Sequence, residues 1–334
     1  MVSRREFLTT AAAAATGLTA ACRTGAAASG AAASGASSAG AGRLGRLGVQ
    51  LFSLPKLLER DFEGTLRMLA GLGYQEVELF GPYPFSTDAA KAGWKAAEGM
   101  LGFSGSGYFG RTPQEVRRLL DAAGLTAPAM HVELDTLRDR TEQVGEAARV
   151  LGHRYAGIAQ IPPERRRTLD DYRRMADELN AIGARARPLG FKVLYHNHGY
   201  GFSPLEGQVP IRVLFDRLDP AVVALEMDLF WTVAAGADPV ALLDAYPKLY
   251  RMMHVKDMSK QGRFAGDGND QGQWFALFPL MTPAGSGVLD LPRILSHARR
   301  AGVEHFFVEQ DLAANPPEQL GASIRYLRGL DLPR

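Results

Sequence analysis

Residues 169–198 read LDDYRRMADELNAIGARARPLGFKVLYHNH, and they place a long amphipathic segment directly before a short apolar run. The spacing of apolar residues predicts a helix over 169–187, which Pro188 and Gly190 end. The apolar run over 191–198 is predicted to be a strand. Because a helix leading into a strand is the repeating element of parallel sheets, this stretch indicates an α/β fold.

The same alternation extends over residues 47–330. Strands are predicted over 47–54, 76–80, 127–134, 155–161, 191–198, 222–230, 251–256 and 305–310. Helices are predicted over 62–72, 112–123, 138–151, 169–187, 209–218, 239–245, 291–301 and 317–330. This number of units, with no linker between them, predicts a single-domain (β/α)8 TIM barrel. A doubly wound open sheet is the alternative, but Ser53-Leu54-Pro55-Lys56 follows the first strand in place of a Gly-rich phosphate loop.

Composition and charge narrow the possible classes of function. Of the 334 residues, 46% are hydrophobic and 22% are charged, as in ordinary soluble globular proteins. The 38 Lys+Arg nearly balance the 36 Asp+Glu, for a net charge of +2, which argues against a dedicated nucleic-acid-binding protein. The single cysteine excludes a disulfide framework and a cysteine-rich zinc site.

The N-terminal region resembles an export signal followed by a tether. Arg4 and Arg5 precede an apolar run over 9–21 that is too short to span a bilayer, which indicates a twin-arginine signal. The run ends at Cys22, the sole cysteine, in a Thr-Ala-Ala-Cys sequence that resembles a lipobox. We predict a signal over 1–22 and a periplasmic or membrane-anchored lipoprotein; a plain cleavage site and an uncleaved anchor are the alternatives. The Ala/Gly/Ser-rich stretch 23–43 is predicted to be a disordered linker, and 44–334 to be the catalytic barrel.

Polar side chains recur at the ends of the predicted strands, where catalytic groups of a TIM barrel gather. They include Glu76, Glu78, His131, Glu133, His196, Asn197, His198, Glu226, Asp228, His254, Lys256, Asp257, Glu309 and Asp311. Residues two apart on a strand share a face, so His196 and His198 are expected to point together. The same rule pairs Glu226 with Asp228.

Four of these residues are predicted to bind a metal ion, and they are His196, Asp228, His254 and Glu309. Taken singly, a strand histidine is more often a hydrogen-bonded core residue, and a strand carboxylate is more often half of an ion pair. Several such groups in one barrel mouth are unfavourable unless something compensates them, and one divalent cation would compensate all four. Two imidazoles and two carboxylates suit Mn²⁺, Fe²⁺, Co²⁺, Zn²⁺ or Ni²⁺ better than Mg²⁺.

Several short stretches together resemble the xylose-isomerase-like TIM barrel superfamily, in its sugar phosphate isomerase/epimerase branch. They are LGVQLFS (47–53), GYQEVEL (73–79), YHNH (195–198), EMDLFW (226–231), HVKD (254–257), GSGVLD (285–290) and VEQD (308–311). The resemblance implies one metal ligand from each of strands five to eight, with Asp228, His254 and Glu309 in matching positions. His196 stands where many relatives carry a glutamate, which leaves Glu309 as the only carboxylate of the pair that two-base epimerases use.

The resemblance implies a metal-dependent isomerase or epimerase that removes a proton next to the carbonyl of a sugar or keto-sugar. Glu309 is the predicted base, His196 is the ligand with a second role, and His131 or His198 is the predicted acid. Contacts to the substrate are predicted for Lys256, Glu78, Glu226 and Trp231. Asp267 and Asp270 in the Gly-rich segment 257–290 would repel a phosphate, so the expected partner is a neutral sugar.

Three other functions are alternatives. A lyase that eliminates a substituent from an oxidised glycoside needs one base and one acid, which the unlike pair His196 and Glu309 could supply. A non-catalytic sugar-binding lipoprotein is disfavoured by the intact ligand set. An endonuclease with several zinc ions is disfavoured by the balanced charge, so no nucleic-acid partner is expected, and membrane contact is expected only through Cys22.

Overall fold

The computed structural model describes residues 42–332. The predicted signal over 1–22, the anchor at Cys22 and most of the linker 23–43 lie outside the described residues. Within 42–332 eight strands close into a parallel barrel and two form a small antiparallel pair. The strands are β1 (Leu47–Gln50), β2 (Glu76–Phe80), β3 (Thr126–His131), β4 (Tyr155–Ile158), β5 (Lys192–His196), β6 (Val223–Asp228), β7 (Tyr250–Val255), β8 (Asp257–Met258), β9 (Met281–Thr282) and β10 (His305–Val308). The predicted (β/α)8 TIM barrel is therefore confirmed.

The barrel strands follow the chain in order around the sheet, and β10 closes it by pairing with β1. The helices of residues 42–332 are α1 (Pro55–Arg60), α2 (Phe62–Leu72), α3 (Asp88–Leu101), α4 (Pro113–Ala123), α5 (Leu134–Asp139), α6 (Thr141–Leu151), α7 (Leu169–Ala186), α8 (Pro210–Phe215), α9 (Leu229–Ala234), α10 (Pro239–Ala245), α11 (Gln271–Phe275), α12 (Leu291–Ala301) and α13 (Pro316–Gly329). None of them combines the length and the apolar character that crossing a bilayer requires.

The barrel interior positions the polar residues of its mouth. A small buried cluster of strand residues fills the interior, and it consists of Ala129, Tyr155, Leu194, Ala224, Met252 and Phe307. Five of these six residues are followed, two positions later in the sequence, by a polar residue. These polar residues are His131, His196, Glu226, His254 and Glu309. Because side chains alternate along a strand, the face that packs the interior also carries these polar groups at its upper end.

Helix ends explain why the long helices were predictable. Thr112 and Glu115 form a reciprocal capping box at the start of α4, and Pro113 occupies its first turn. Gly124 ends α4 with a φ of 70°, a left-handed conformation that glycine adopts without a steric penalty. The predicted bounds of α2, α4, α10 and α12 agree with the structure to within one residue.

Several predicted strands end earlier than expected, because polar residues at their ends begin new helices. The strand predicted over 222–230 ends at Asp228, whose Oδ1 accepts a hydrogen bond of 2.9 Å from the Trp231 amide and caps α9. The strand predicted over 127–134 ends at His131, and the helix predicted over 138–151 divides at Arg140 into α5 and α6.

Elements that the sequence did not predict lie mainly in the loops at the barrel mouth. They are α1, α3, α5, α9, α11 and the β8–β9 pair. Helix α3 has no fully buried residue along its described length, so it lacks the apolar face that marks a core helix. Helix α11 has only five residues, too few for a helical period to stand out.

Candidate metal centre and active-site cavity

A cavity of about 820 Å³ opens at the carboxyl ends of the barrel strands. The strand-end side chains that reach it are Gln50, His131, His196, His254, Lys256 and Glu309. The register of the sheet brings them together, because His196 pairs with Glu226 across β5 and β6, and Asp228 pairs with His254 across β6 and β7. Polar residues far apart in the sequence therefore share one level of the barrel.

Three imidazoles converge on one buried carboxylate in the histidine cluster, which consists of His131, His196, Glu226 and His254. Glu226 Oε2 lies 2.8 Å from His131 Nε2 and 3.1 Å from His196 Nδ1. Glu226 Oε1 lies 3.2 Å from His254 Nε2. One nitrogen or oxygen from each of the four residues lies within 4.8 Å of the others. This donor set suits Zn²⁺ and the neighbouring divalent transition metals.

Glu78 supports the histidine cluster from the neighbouring strands. Its Oε2 accepts a hydrogen bond of 2.8 Å from Gln50 and lies 2.6 Å from His254 Nε2. Burial and the nearby Glu226 carboxylate raise the pKa of Glu78. Burial also acts to raise the pKa of Glu226, but His254, His131 and His196 outweigh it and lower that pKa well below its ordinary value. The pKa values of the two buried glutamates therefore shift in opposite directions, since three imidazoles converge on Glu226.

The carboxylate cluster lies beside the histidine cluster and consists of Asp228, Glu309 and Asp311 around Lys256. The Lys256 Nζ atom lies 2.9 Å from Asp228 Oδ2, 2.7 Å from Glu309 Oε2 and 2.7 Å from Asp311 Oδ2. His254 Nδ1 lies 2.7 Å from Glu309 Oε2 and links the two clusters. Lys256 is only 2% exposed, so its ammonium is enclosed by carboxylates rather than by water.

The groups of the carboxylate cluster have divergent proton affinities. Burial acts to raise the pKa of Glu309, but Lys256 and His254 lower it strongly, which keeps this carboxylate ionised. Burial and the neighbouring Glu309 raise the pKa of Asp311 to about 7. Burial acts to lower the pKa of Lys256, but Asp228, Asp311 and Glu309 raise it well above its ordinary value. One ammonium thus contacts two carboxyl groups whose pKa values shift in opposite directions.

The pKa values of the imidazoles also shift in opposite directions. Burial acts to lower the pKa of His254, but Glu226 and Glu309 raise it well above its ordinary value. The pKa of His131 is raised in the same way, by Glu78 and Glu226 against the effect of burial. Burial and the charge of His254 lower the pKa of His196. Burial and Lys256 lower the pKa of His198 to about 3, and its Nδ1–H donates to the Ala159 carbonyl at 2.6 Å.

The sequence of this chain matches a family of known proteins. The sequence over residues 66–330 matches the family described as xylose isomerase-like TIM barrel. The chain belongs to this family. Its barrel therefore shares the family's fold, and the family includes enzymes that act on sugars.

Two curated relatives of this xylose isomerase-like barrel are named inosose dehydratases. An inosose dehydratase of Lacticaseibacillus casei is 29% identical over 167 residues, which cover 48% of this chain and 55% of that protein. Inosose dehydratase 2 of Bacillus cereus is 26% identical over 281 residues, which cover 79% of this chain and 88% of that protein. The chain thus spans about half the length of the first relative and most of the second.

Solved structures share the fold at lower sequence identity. A sugar phosphate isomerase/epimerase from Parabacteroides distasonis superposes with a TM-score of 0.65 at 22% identity, covering 88% of this chain and 96% of its own. The protein named IOLI, solved with a zinc atom bound, superposes with a TM-score of 0.59 at 15% identity, covering 84% of this chain and 95% of its own.

The buried polar atoms of the mouth fit a divalent cation. Glu78 Oε1 and Glu226 Oε1 are buried and accept no hydrogen bond from any residue of the described range 42–332. The ion pairs of these two glutamates are all with histidines. A second group of potential ligands, Asp228, His254 and Glu309, already contains the ammonium of Lys256 within 3 Å of both carboxylates. The histidine cluster therefore offers converging ligand atoms that no ammonium occupies, so a cation can bind there without displacing Lys256.

The structure brings all four predicted ligands to the barrel mouth but divides them between two groups. His196 belongs to the histidine cluster, Asp228 and Glu309 belong to the carboxylate cluster, and His254 contributes to both groups of potential ligands. The predicted acids His131 and His198 line the cavity, but the lowered pKa of His198 leaves its Nε2 as an acceptor.

The predicted substrate contacts have different surroundings. Lys256 and Trp231 line the cavity, and the Trp231 Nε1–H is buried without a hydrogen-bond partner. Glu78 and Glu226 are fully buried and do not line it; they contact the imidazoles instead. Their role as substrate contacts stays a prediction that this placement does not favour.

Asp311 and Gln50 are site residues that the sequence analysis did not select. Asp311 lines the cavity and binds Lys256, and Gln50 holds Glu78. Side chains two residues apart on a strand share a face, which paired Glu226 with Asp228 and also places Asp311 on the face of Glu309. The sequence could therefore have predicted Asp311 as a site residue. Gln50 offered no such signal, since a lone glutamine at a strand end has no distinctive spacing.

Proposed function

We propose that this chain is a metal-dependent lyase that eliminates a substituent β to the carbonyl of a polyhydroxylated ketone. The observation that carries the proposal is the side-by-side placement of Glu309 and Asp311, whose oxygens both lie 2.7 Å from Lys256 Nζ. A base and an acid on one wall suit removal of a proton and loss of a substituent from the same face of a ring. An epimerase instead needs groups on opposite faces of one carbon. The relatives named inosose dehydratase support elimination over the isomerase or epimerase activity expected first.

The histidine cluster is the proposed metal centre. His131, His196, Glu226 and His254 would hold the ion, because their donor atoms converge and no lysine neutralises Glu226 among its ion pairs. A bound divalent ion would act as a Lewis acid towards the substrate carbonyl and favour the charge that develops there. The zinc bound in the IOLI structure supports a metal in a barrel of this fold.

Side chains of the carboxylate cluster carry out the proton transfers. Glu309 accepts the proton from the carbon next to the carbonyl, and the electron pair of that C–H bond forms the new C=C bond. The β C–O bond breaks as its electron pair leaves with the oxygen, and Asp311 donates a proton to that oxygen. Lys256 stays protonated between the two carboxylates and keeps Glu309 ionised. Exchange with solvent then restores both groups.

Variants of the two carboxylates test the reaction in deuterated water. With an inosose as substrate, the wild type should exchange the α-proton, seen by NMR, and form an unsaturated ketone, seen by absorbance. Glu309→Gln should abolish both signals. Asp311→Asn should retain exchange and slow elimination by roughly 100-fold or more, because only the general acid is lost. Asp121→Asn, on the exposed face of α4, is the control and should match the wild type. Inversion of the carbon without elimination would refute the lyase in favour of an epimerase.

Metal analysis tests the proposed centre separately. Purified wild type should contain one divalent ion, and a chelator should remove its activity. Glu226→Gln should lose the ion, whereas Asp228→Asn should keep it. The opposite result would assign the ion to the set that the sequence predicted, which consists of His196, Asp228, His254 and Glu309.

A further inference from the structure

Two walls of the cavity are aromatic, whereas the segments after β3 and β4 contribute charged residues to the lining, which are Glu133, Asp135, Arg138, Glu164 and Arg165. One wall comes from the segments after β1 and β2, where Phe52, Phe80 and Trp94 line the cavity. The Phe80 ring lies 5.3 Å from Phe52 and 5.9 Å from Trp94, centre to centre, so the three rings form one continuous surface. This surface holds no charged group of its own.

A second aromatic wall comes from the segments after β6 and β8. Trp231, Trp274, Phe275 and Phe278 line the cavity there. Phe278 lies 6.1 Å from Trp231 and 5.1 Å from Phe275, centre to centre. In a closed barrel of eight strands taken in chain order, β2 and β6 are four positions apart and lie across the barrel from each other. The two aromatic walls therefore face one another over the mouth.

Exposed apolar side chains at the rim extend both walls. Among the residues that the structure describes, three large hydrophobic side chains are classed as exposed: Met100 at 62%, Phe275 at 36% and Val288 at 54%. Met100 and Phe275 line this cavity, one from each wall, and Val288 does not. Because they continue the two aromatic walls, these two side chains enlarge the apolar surface that a ligand in the cavity would cover.

The size of the cavity agrees with a ligand larger than one sugar ring. Its volume of about 820 Å³ falls in the upper part of the range of roughly 300–1,000 Å³ found for drug-sized ligands. A polyhydroxylated ring needs the hydrogen-bonding groups at the inner end, such as Lys256 and Glu309. The space between the aromatic walls is left for a second, apolar part of the ligand.

We propose that the substrate is a keto-glycoside with an apolar, aromatic aglycone that lies between these two walls. The inference rests on the proposed lyase activity and names its substrate class. With the ketone at C3 of the sugar, the glycosidic oxygen on C1 is β to the carbonyl. The C2–H bond breaks, C1=C2 forms, and the C1–O bond breaks with its electron pair on the aglycone oxygen. That oxygen takes a proton and leaves as an alcohol or phenol, so no oxidant or reductant is consumed.

Two glycosides with equally basic leaving groups isolate the effect of the aglycone. The 3-keto-β-D-glucosides of 2-phenylethanol and of methanol both release simple alkoxides, so they differ mainly in the phenyl ring. Burial of a phenyl group between the walls should raise kcat/KM for the phenylethyl glycoside at least about tenfold over the methyl glycoside.

Rim variants show whether the walls cause this preference. The double variant M100S/F275S should lower the ratio of the two kcat/KM values several-fold. The matched control Val288→Ser removes another exposed apolar side chain, which lies away from the cavity, and should leave the ratio unchanged. These side chains are exposed, so loss of folding does not obscure the result.

The outcomes separate this inference from the function on which it rests. Equal kcat/KM values for the two glycosides would overturn the aromatic aglycone and leave the lyase activity standing. A preference that M100S/F275S does not reduce would overturn the role of the walls. If neither glycoside nor an inosose is converted, the lyase proposal fails, and the substrate class fails with it.

Discussion

Replacement of Lys256 by methionine should test whether one ammonium holds the carboxylate cluster together. Methionine keeps much of the length of the side chain but removes its charge. Asp228, Glu309 and Asp311 all lie within 3 Å of the Lys256 nitrogen, so the K256M variant leaves three buried carboxylates without this cation. Their mutual repulsion and their poor solvation should destabilise the folded state.

The expected loss follows from the burial of the pairs. Lys256 is 2% exposed and its three partners are 0–10% exposed, so water screens the lost charge only weakly. Removal of one partner from a buried ion pair typically costs about 3–5 kcal/mol. For a domain of this size that loss corresponds to a fall in Tm of roughly 5–15 °C.

Thermal unfolding measured by tryptophan fluorescence gives a direct assay. The experiment is run with a chelator in both samples, so that metal binding does not contribute. Lys248→Met is the matched control, since Lys248 is exposed and a surface substitution should change stability by less than about 0.5 kcal/mol. A K256M variant as stable as K248M would refute the idea that this ammonium stabilises the cluster.

The stability difference between wild type and K256M should depend on pH in one direction. Without Lys256, the folded-state pKa values of all three carboxyls rise, and those of Asp228 and Asp311 already lie above their unfolded values near 4. The folded K256M protein then binds more protons than its unfolded state. Its stability is therefore lost as the pH rises from the unfolded to the folded pKa values of these carboxyls. The difference between wild type and K256M should therefore be largest near pH 8 and should shrink towards pH 5. A difference that grows on acidification would contradict this explanation.

Two further predictions concern other parts of the chain. Burial lowers the pKa of His153 to about 4, so wild type should lose up to about 3 kcal/mol of stability between pH 6.5 and 4, as the unfolded state takes up the proton. His153→Gln should remove that part of the slope, measured by denaturant unfolding at each pH. We also propose export: Arg4→Lys with Arg5→Lys should retain the protein in the cytoplasm, and Cys22→Ser should release it from the membrane, as followed by cell fractionation.

The order of strands and helices could be predicted because it depends on local signals. The capping box at Thr112 and the apolar spacing of α2 are contained in a few adjacent residues. Helix α3 could not be predicted in this way, because its fourteen residues bury no side chain completely. Its position depends on long-range contacts, such as the hydrogen bond from Thr87 at its N-cap to Asp135 after β3.

The members of the site could be predicted better than their grouping. Alternation along strands placed His131, His196 and His254 at one end of the barrel without knowledge of any distance. Whether Asp228 pairs with a lysine or with a histidine depends on side-chain packing across three strands. Sequence spacing has no information about that packing, so the predicted ligand set and the two clusters overlap only in part.

The division of charge between the two clusters is consistent with a single direction of proton transfer. Glu226 is surrounded by imidazoles and is shielded from the cavity, so it can orient or bind but cannot reach a substrate carbon. Glu309 faces the cavity and its pKa is lowered by Lys256, whereas the pKa of Asp311 is raised to about 7, so a substantial fraction of Asp311 carries a proton at neutral pH. A symmetric pair of bases would require equal environments on opposite walls. The lysine instead sits on one wall only, and it makes the two carboxyls beside it unlike each other, as an elimination requires.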